Sequence, residues 1–422
     1  MKTSKHAWFV AVWSAVGAVA VAGICVWAWL TLAPRLVLAE MFPDNNLALC
    51  VARATGVSGP SAKVSQLALT QVRSLPCSDY RTKAATRRPT DPPRQSPSGA
   101  ILKNTPPAEP APGTRIRSLQ GLDRLTNLAS LGLLKNDISD LTPLADLDKL
   151  VDVTLTDNRV TDLAPLADLP VLSGLRLANN TITDLTPLTR VRTLRSLSLT
   201  NNQVSNLTPL AGMTLLASLD AGENQISDVT PLAGLHKLGT ITLTHNRVSD
   251  LTPLAGLPML SDLGLSDNAI TDLTGLASVR TLRFLGLAHN QIVDLTPLAG
   301  LSALDKLDVS ENQISDVTPL AHLPQLRRLT LTGNQVVNPA PLRGMSALSM
   351  LNISQNRVAD AGKFAGFVAL EELWVGGNRL TDVTALAALP ALTGVDFEGT
   401  MSGTLVGLDA LRARKIYVGG FA

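Results

Sequence analysis

Few side chains in this sequence are equipped for chemistry. Among 422 residues there are three cysteines and five histidines, and aromatics make up 3% of the chain. No P-loop, zinc-ligand spacing, dinucleotide fingerprint or nucleophile constellation occurs. Ser and Thr are plentiful, but they recur at fixed positions of a repeat, which marks them as scaffold. The sequence therefore points away from an enzyme, and no cofactor or metal is expected. A strong charge of one sign is also missing, since the net charge is +2. That sum hides an asymmetry, with 13 basic and 5 acidic side chains in residues 1–115 against 23 and 29 in residues 116–422. The larger, mildly acidic part argues against a nucleic-acid partner.

What is present is one spacing. Asn136, Asn158, Asn180, Asn202, Asn224, Asn246, Asn268, Asn290, Asn312, Asn334, Asn356 and Asn378 stand 22 residues apart without a slip. An apolar pair precedes each, such as Leu131 and Leu133, and segments such as Ile226-Ser-Asp-Val-Thr-Pro-Leu-Ala-Gly-Leu235 follow. A fixed period of this length and composition predicts a leucine-rich repeat solenoid. Strand residues alternate faces, so Leu131 and Leu133 point inward and Gly132 outward. The turn after each strand buries backbone groups that lack ladder partners, and an Asn amide can both donate to and accept from them. The Asp-Leu-Thr-Pro-Leu stretch suits a short 3₁₀ or irregular return, where Pro fixes φ and Asp bonds nearby backbone. The fold expected is an α/β-type solenoid: a horseshoe with a parallel concave β-sheet, a 3₁₀ or irregular convex side and a small helical N-terminal cap.

The unit Asn-x-Ile-Ser-Asp-Leu-Thr-Pro-Leu-Ala closely resembles the bacterial internalin-like family of leucine-rich repeats, over about residues 41–422. The resemblance implies an N-terminal cap over 41–81 and protein recognition on the concave face. It does not name a ligand. Repeats occupy 116–402 and a C-terminal cap 403–422, with Thr400 where an Asn is expected and Ile416 and Val418 as a last strand after a shortened, 21-residue repeat. In the N-terminal cap, Asp44 or Asn45 starts a helix that carries Leu47, Cys50 and Val51 on one face. Leu75 and Cys77 point inward from the first strand. Cys50 and Cys77 could form a disulfide in an oxidising compartment, or stay as two buried thiols.

Residues 7–33 are 27 uncharged residues, enough to span a bilayer. With Lys2 and Lys5 ahead of them, the expectation is a cytoplasmic tail at 1–6 and a single-pass transmembrane anchor at 7–33. The repeats would then be periplasmic or extracellular. Cleavage as a signal peptide, releasing a secreted protein, is the rival. Residues 82–115 hold eight prolines and several basic residues, including Arg87, Arg88 and Arg94. They read as a disordered insertion in the first repeat, passive or in contact with anionic lipid or envelope polymer.

Two columns bear on function. The residues before successive ladder Asn are Glu223, His245, Asp267, His289 and Glu311, whose carboxylates and imidazoles could hold a divalent cation. A solvated column of charge is the plainer reading, so no metal site is assigned. On the concave face, large and charged side chains gather on the later repeats: Phe284, Lys306, Asp308, Arg328, Met350, Asn352, Glu372 and Trp374. Earlier strands carry Ser130, Gly174, Ser196, Ser218 and Thr240, broken by Asp152, Asp262 and Arg176. Trp and Arg are favoured interface anchors. The leading function is an extracytoplasmic, membrane-tethered module that binds a protein partner on the concave face of the later repeats. The alternative is a structural cell-envelope spacer or scaffold without a specific ligand patch.

Overall fold

The computed structural model describes residues 36–77, 115–400 and 405–421. A small N-terminal part comes first. Strand β1 (Leu36–Val37) pairs antiparallel with β2 (Lys63–Val64), around helices α1 (Leu38–Met41) and α2 (Asn45–Thr55). Helix α3 (Gln66–Thr70) leads into β3 (Ser74–Pro76). From β3 onward the chain builds one open parallel sheet of 15 strands in strict sequential order, ending at β16 (Gly394–Thr400) and β17 (Tyr417–Phe421). The chain is a leucine-rich repeat solenoid.

Each repeat is assembled the same way. The inward residues of β9 (Thr240–Thr242) and β10 (Asp262–Gly264), Ile241 and Leu263, are fully buried, as are Leu243, Val248 and Leu254 behind them. The return side starts with a one-turn 3₁₀ helix, as at Thr252–Leu254, with Pro in its first turn. Pro suits that place because its φ is already set and its missing N–H would have had no partner. Apolar side chains from every repeat join one continuous core along the solenoid.

The Asn residues hold adjacent repeats together. Asn246 Oδ1 accepts from the Ile226 N–H of the preceding repeat at 2.9 Å. Its Nδ2 donates to the Ala221 carbonyl of that repeat at 3.0 Å and to Leu243 of its own at 3.0 Å. The pattern begins at Asn136, which bonds the Ile116 N–H at 2.8 Å and the Cys77 carbonyl at 3.1 Å. The Cys77 contact carries the ladder into the N-terminal part. Leu75 pairs with Leu131, 56 positions on, whereas Leu131 pairs with Val153, 22 positions on.

One carboxylate and one disulfide close the N-terminal end. Asp44 is the helix cap, with Oδ1 accepting from Asn46 N at 2.9 Å and Leu47 N at 3.1 Å. Its Oδ2 accepts from Arg117 N at 2.7 Å and Ser118 N at 3.2 Å, tying the helix to the first repeat. Leu47, Cys50 and Val51 are buried, and Cys50 is disulfide-bonded to Cys77, Cα to Cα 5.7 Å. At the other end Arg414 donates to the carbonyls of Ala387 and Leu389, fixing helix α4 (Leu408–Ala413) across the last return.

Two expectations are corrected. Among the described residues no helix is long and apolar enough to cross a membrane, and the first two helices have 4 and 11 residues. About 20 apolar residues are needed. The single-pass membrane placement, N-terminus cytoplasmic and repeats periplasmic or extracellular, therefore has no spanning helix among the described residues to rest on. The tail at 1–6, the stretch at 7–33 and residues 82–114 lie outside the described residues. The second correction is at the far end. Val395 pairs with Val418, not with Ile416, and Gly394 with Tyr417, so this repeat spans 23 residues rather than 21. Ile416 remains buried beneath the sheet.

A row of carboxylates caps the 3₁₀ turns. Asp250 Oδ1 accepts from Thr252 N at 2.8 Å, and Asp140, Asp184, Asp228, Asp294 and Asp382 repeat the contact with the Thr two positions on. Hydrogen bonds from the Thr side chain and then its backbone N–H hold these six carboxyls below the usual aspartate value of 3.8. A depressed folded-state value means that the stabilisation is fully present above 3.8 and is lost as pH falls through the lower folded values. Thermal midpoints should fall along that window. Replacing several of these Asp by Asn should flatten the acid limb while keeping the turns, as Asn206 does naturally by accepting from Thr208 N at 2.9 Å. An unchanged acid limb in such a variant would show that other groups set it.

Candidate functional site

The concave sheet presents 15 parallel strands, and the outward residues of its later strands fall into two columns. In the first, Phe284, Lys306, Arg328, Met350 and Glu372 are direct neighbours across β11 (Phe284–Gly286), β12 (Lys306–Asp308), β13 (Arg328–Thr330), β14 (Met350–Asn352) and β15 (Glu372–Trp374). In the second, Asp308, Thr330, Asn352 and Trp374 are neighbours on the same strands. The eight residues singled out in the sequence thus share one continuous surface, roughly 20 Å across five strands.

They are not equivalent. Lys306, Arg328 and Glu372 are exposed. Phe284, 38% exposed, lies along its own strand over Gly286, where an added Cβ would sit 3.4 Å from the ring. Asp308 and Asn352 are partly occupied inside the fold: Asp308 Oδ1 accepts from Ser310 N at 3.0 Å and from its hydroxyl at 2.6 Å, and Asn352 Oδ1 from Ser354 N at 3.0 Å. They brace the strand exits, which leaves the cations and the aromatics as the freer contacts.

Charge is divided along this face. Arg283 and Arg327 stand just before β11 and β13, beside Lys306 and Arg328, and Arg327 Nε is 3.9 Å from Asp305. Glu371, Glu372, Asp396 and Glu398 follow at the C-terminal end. The face therefore runs from basic to acidic over β11 to β16. Sequence reading passed over Asp396 and Tyr417. Tyr417 is 71% exposed and, through the corrected register, stands in the first column beside Gly394 and two strands beyond Glu372.

The column before the ladder Asn has a conformational role. From Lys135 to Gln355 its residues sit at φ of 51–59°, with Gly333 and Gly377 at 67° and 65°. This left-handed turn drives the chain inward and costs a non-glycine residue roughly 1 kcal/mol or more, which explains the Asp, Asn and Gly found there. Side chains lean onto the neighbouring repeat: Asn179 Nδ2 donates to Asp157 Oδ1 at 2.6 Å, and His245 Nε2 is 3.5 Å from Asp267 Oδ2. Among the described residues no three His, Cys, Asp or Glu gather to hold a metal ion.

Comparison with known proteins fits this architecture. Residues 280–322 match the family described as "Leucine Rich repeats (2 copies)". An internalin (inlF) of Listeria monocytogenes superimposes with a TM-score of 0.75 at 30% identity, over 87% of this chain and 99% of that one. The chain belongs to the internalin-like leucine-rich repeat family. A leucine-rich repeat protein of Leptospira interrogans shares the solenoid fold at 22% identity and a TM-score of 0.65, over 72% of this chain and 81% of its own. So does a plant peptide hormone receptor, RGFR1 in complex with RGF2, at 18% and 0.57, over 72% and 57%. Among curated proteins none matches the chain. The leucine-rich repeat fold is typical of protein-binding modules, because curvature exposes one long ordered surface.

Proposed function

We propose that this internalin-like chain is a protein-binding module whose partner lies on the concave face of β11 to β15. The observation that carries the reading is the contrast along one sheet. Phe284, Lys306, Arg328, Met350, Glu372 and Trp374 adjoin one another on the later strands, whereas the earlier ones carry mainly small residues such as Ser196, Ser218 and Thr240, broken by Asp152, Arg176 and Asp262. Small hydroxyls offer little area to bury, and aromatic and Arg side chains are the usual anchors of an interface. The Cys50–Cys77 bridge suits oxidising surroundings.

Site-specific photocrosslinking tests the placement. A photoreactive residue at Met350 or Lys306 should join the chain to its partner, and the same group at Ser196 or Thr240 should not. Crosslinks formed equally from both sets would remove the preference for the later repeats. Crosslinks from neither would favour a spacer or scaffold without a ligand patch.

A further inference from the structure

The C-terminal end of the concave face holds a trough that the arrangement on β11 to β14 does not explain. A cavity of about 290 Å³ opens between Trp374 and Tyr417, with Glu372 and Asp396 at its rim. The register shows how it forms. Gly394 on β16 stands between Glu372 on β15 and Tyr417 on β17, and Asp396 stands between Trp374 and Gly419. At Gly394 an added Cβ would find nothing nearer than Tyr417 at 4.0 Å, so the missing side chain leaves open space on the floor. At Gly419 an added Cβ would sit 2.8 Å from Tyr417 Cε1 and 3.1 Å from both Tyr417 Oη and Asp396 Oδ2. The Tyr417 ring therefore lies over that glycine, next to the Asp396 carboxylate. Asp396 is oriented by the Glu398 N–H, which donates to Oδ1 at 2.8 Å, while Oδ2 lies over Gly419 beside the Tyr417 ring.

Two carboxylates and two aromatic rings around one opening define a chemistry. Among the described residues neither Glu372 nor Asp396 has a cationic partner within ion-pair distance. An apolar occupant would strip water from both carboxylates without compensation. A divalent cation lacks ligands, since no third acidic, His or Cys side chain completes a cluster there. A guanidinium satisfies all the surfaces at once, stacking on a ring and donating in plane to carboxylate oxygens. We propose that the trough between Trp374 and Tyr417 takes an arginine side chain of the protein bound on the concave face. The proposal rests on the concave-face reading and deepens it: the partner presents a cation at this end and acidic groups opposite Lys306 and Arg328.

The test titrates the full chain with acetyl-arginine amide, its neutral isostere acetyl-citrulline amide serving as control, and reads saturation transfer to the ligand protons. Arginine amide should bind, and citrulline amide should bind at least roughly tenfold more weakly, as befits loss of the cationic contacts. E372Q, on an exposed side chain, and Trp374→Leu should each weaken arginine amide severalfold with circular dichroism unchanged. Equal binding of the two amides, or unchanged affinity in both variants, would overturn the proposal. Partner capture separates this failure from that of the wider reading. If R328A lowers capture and E372Q does not, the arginine pocket is wrong and the concave site stands. If neither lowers it, the concave site itself is wrong.

Discussion

Reduction of the Cys50–Cys77 disulfide is expected to lower the stability of the N-terminal part by about 3–4 kcal/mol. The bridge joins α2 to the residue directly after β3 across a sequence separation of 27 residues. Opening it restores the freedom of that loop in the unfolded chain, and the entropy of closing a loop of this length sets the magnitude. The effect should be local. In a solenoid each repeat touches only its neighbours, so loss of the first unit is not transmitted whole to the centre. Hydrogen exchange should accelerate in residues 45–77 and in β4 (Ser130–Gly132), whose Gly132 carbonyl accepts from Cys77 N, while β9 and β10 stay protected. Loss of the end unit also exposes the apolar edge of the first repeat, including Leu119, Leu122 and Leu131. Self-association should therefore rise under reducing conditions. Uniform loss of protection along the whole chain would show that the repeats unfold as one unit and that the bridge is not a local clamp.

Asn246→Ala should destabilise the stack by about 1–3 kcal/mol. Which groups lose their only partner decides the size. The Ala221 carbonyl keeps Asn224 Nδ2 at 3.2 Å, and the Leu243 carbonyl keeps Asn268 Nδ2 at 2.9 Å. The Thr244 carbonyl keeps the Glu223 N–H at 2.7 Å. The Ile226 N–H, on a residue with no exposed surface, is left with nothing. One orphaned buried donor, rather than four broken hydrogen bonds, is the dominant cost. Asn338→Ala is the control. That side chain is exposed and accepts only from Ala340 N at 3.2 Å, and water can take its place. Its substitution should shift a denaturant midpoint several times less. Equal shifts would mean that the ladder Asn do not connect the repeats.

The solenoid was legible in the sequence because its cause is periodic. One Asn and one apolar pair recur every 22 residues, with a Thr-Pro turn in most repeats, and each recurrence repeats the same local demand. The left-handed turn before each Asn went unread. Its signal lay in plain view, since Asp157, Asn179, Asn201, Gly333 and Gly377 occupy one column and tolerate positive φ better than other residues. The last strand was misplaced where periodicity stops. Helix α4 replaces the 3₁₀ return, so counting from Val395 no longer finds the partner, and Tyr417 fell outside the surface it occupies. The trough at the end of the concave face needs that register, because Gly394 and Asp396 become part of a site only when Tyr417 and Gly419 are set beside them.

We propose the later concave strands as the contact surface. The direct measurement is the affinity of the full chain for its captured partner in four variants: Arg328→Ala, Trp374→Ala, Ser196→Ala and Thr240→Ala. The first two should each weaken binding by about 2 kcal/mol, close to thirtyfold, as truncated anchors do. Their thermal unfolding should be nearly unchanged, because both side chains stand on the outward face of the sheet beside the buried Leu329 and Leu373. The latter two should bind as the parent does. Unchanged affinity in Arg328→Ala and Trp374→Ala, with a loss in Ser196→Ala or Thr240→Ala, would contradict the account.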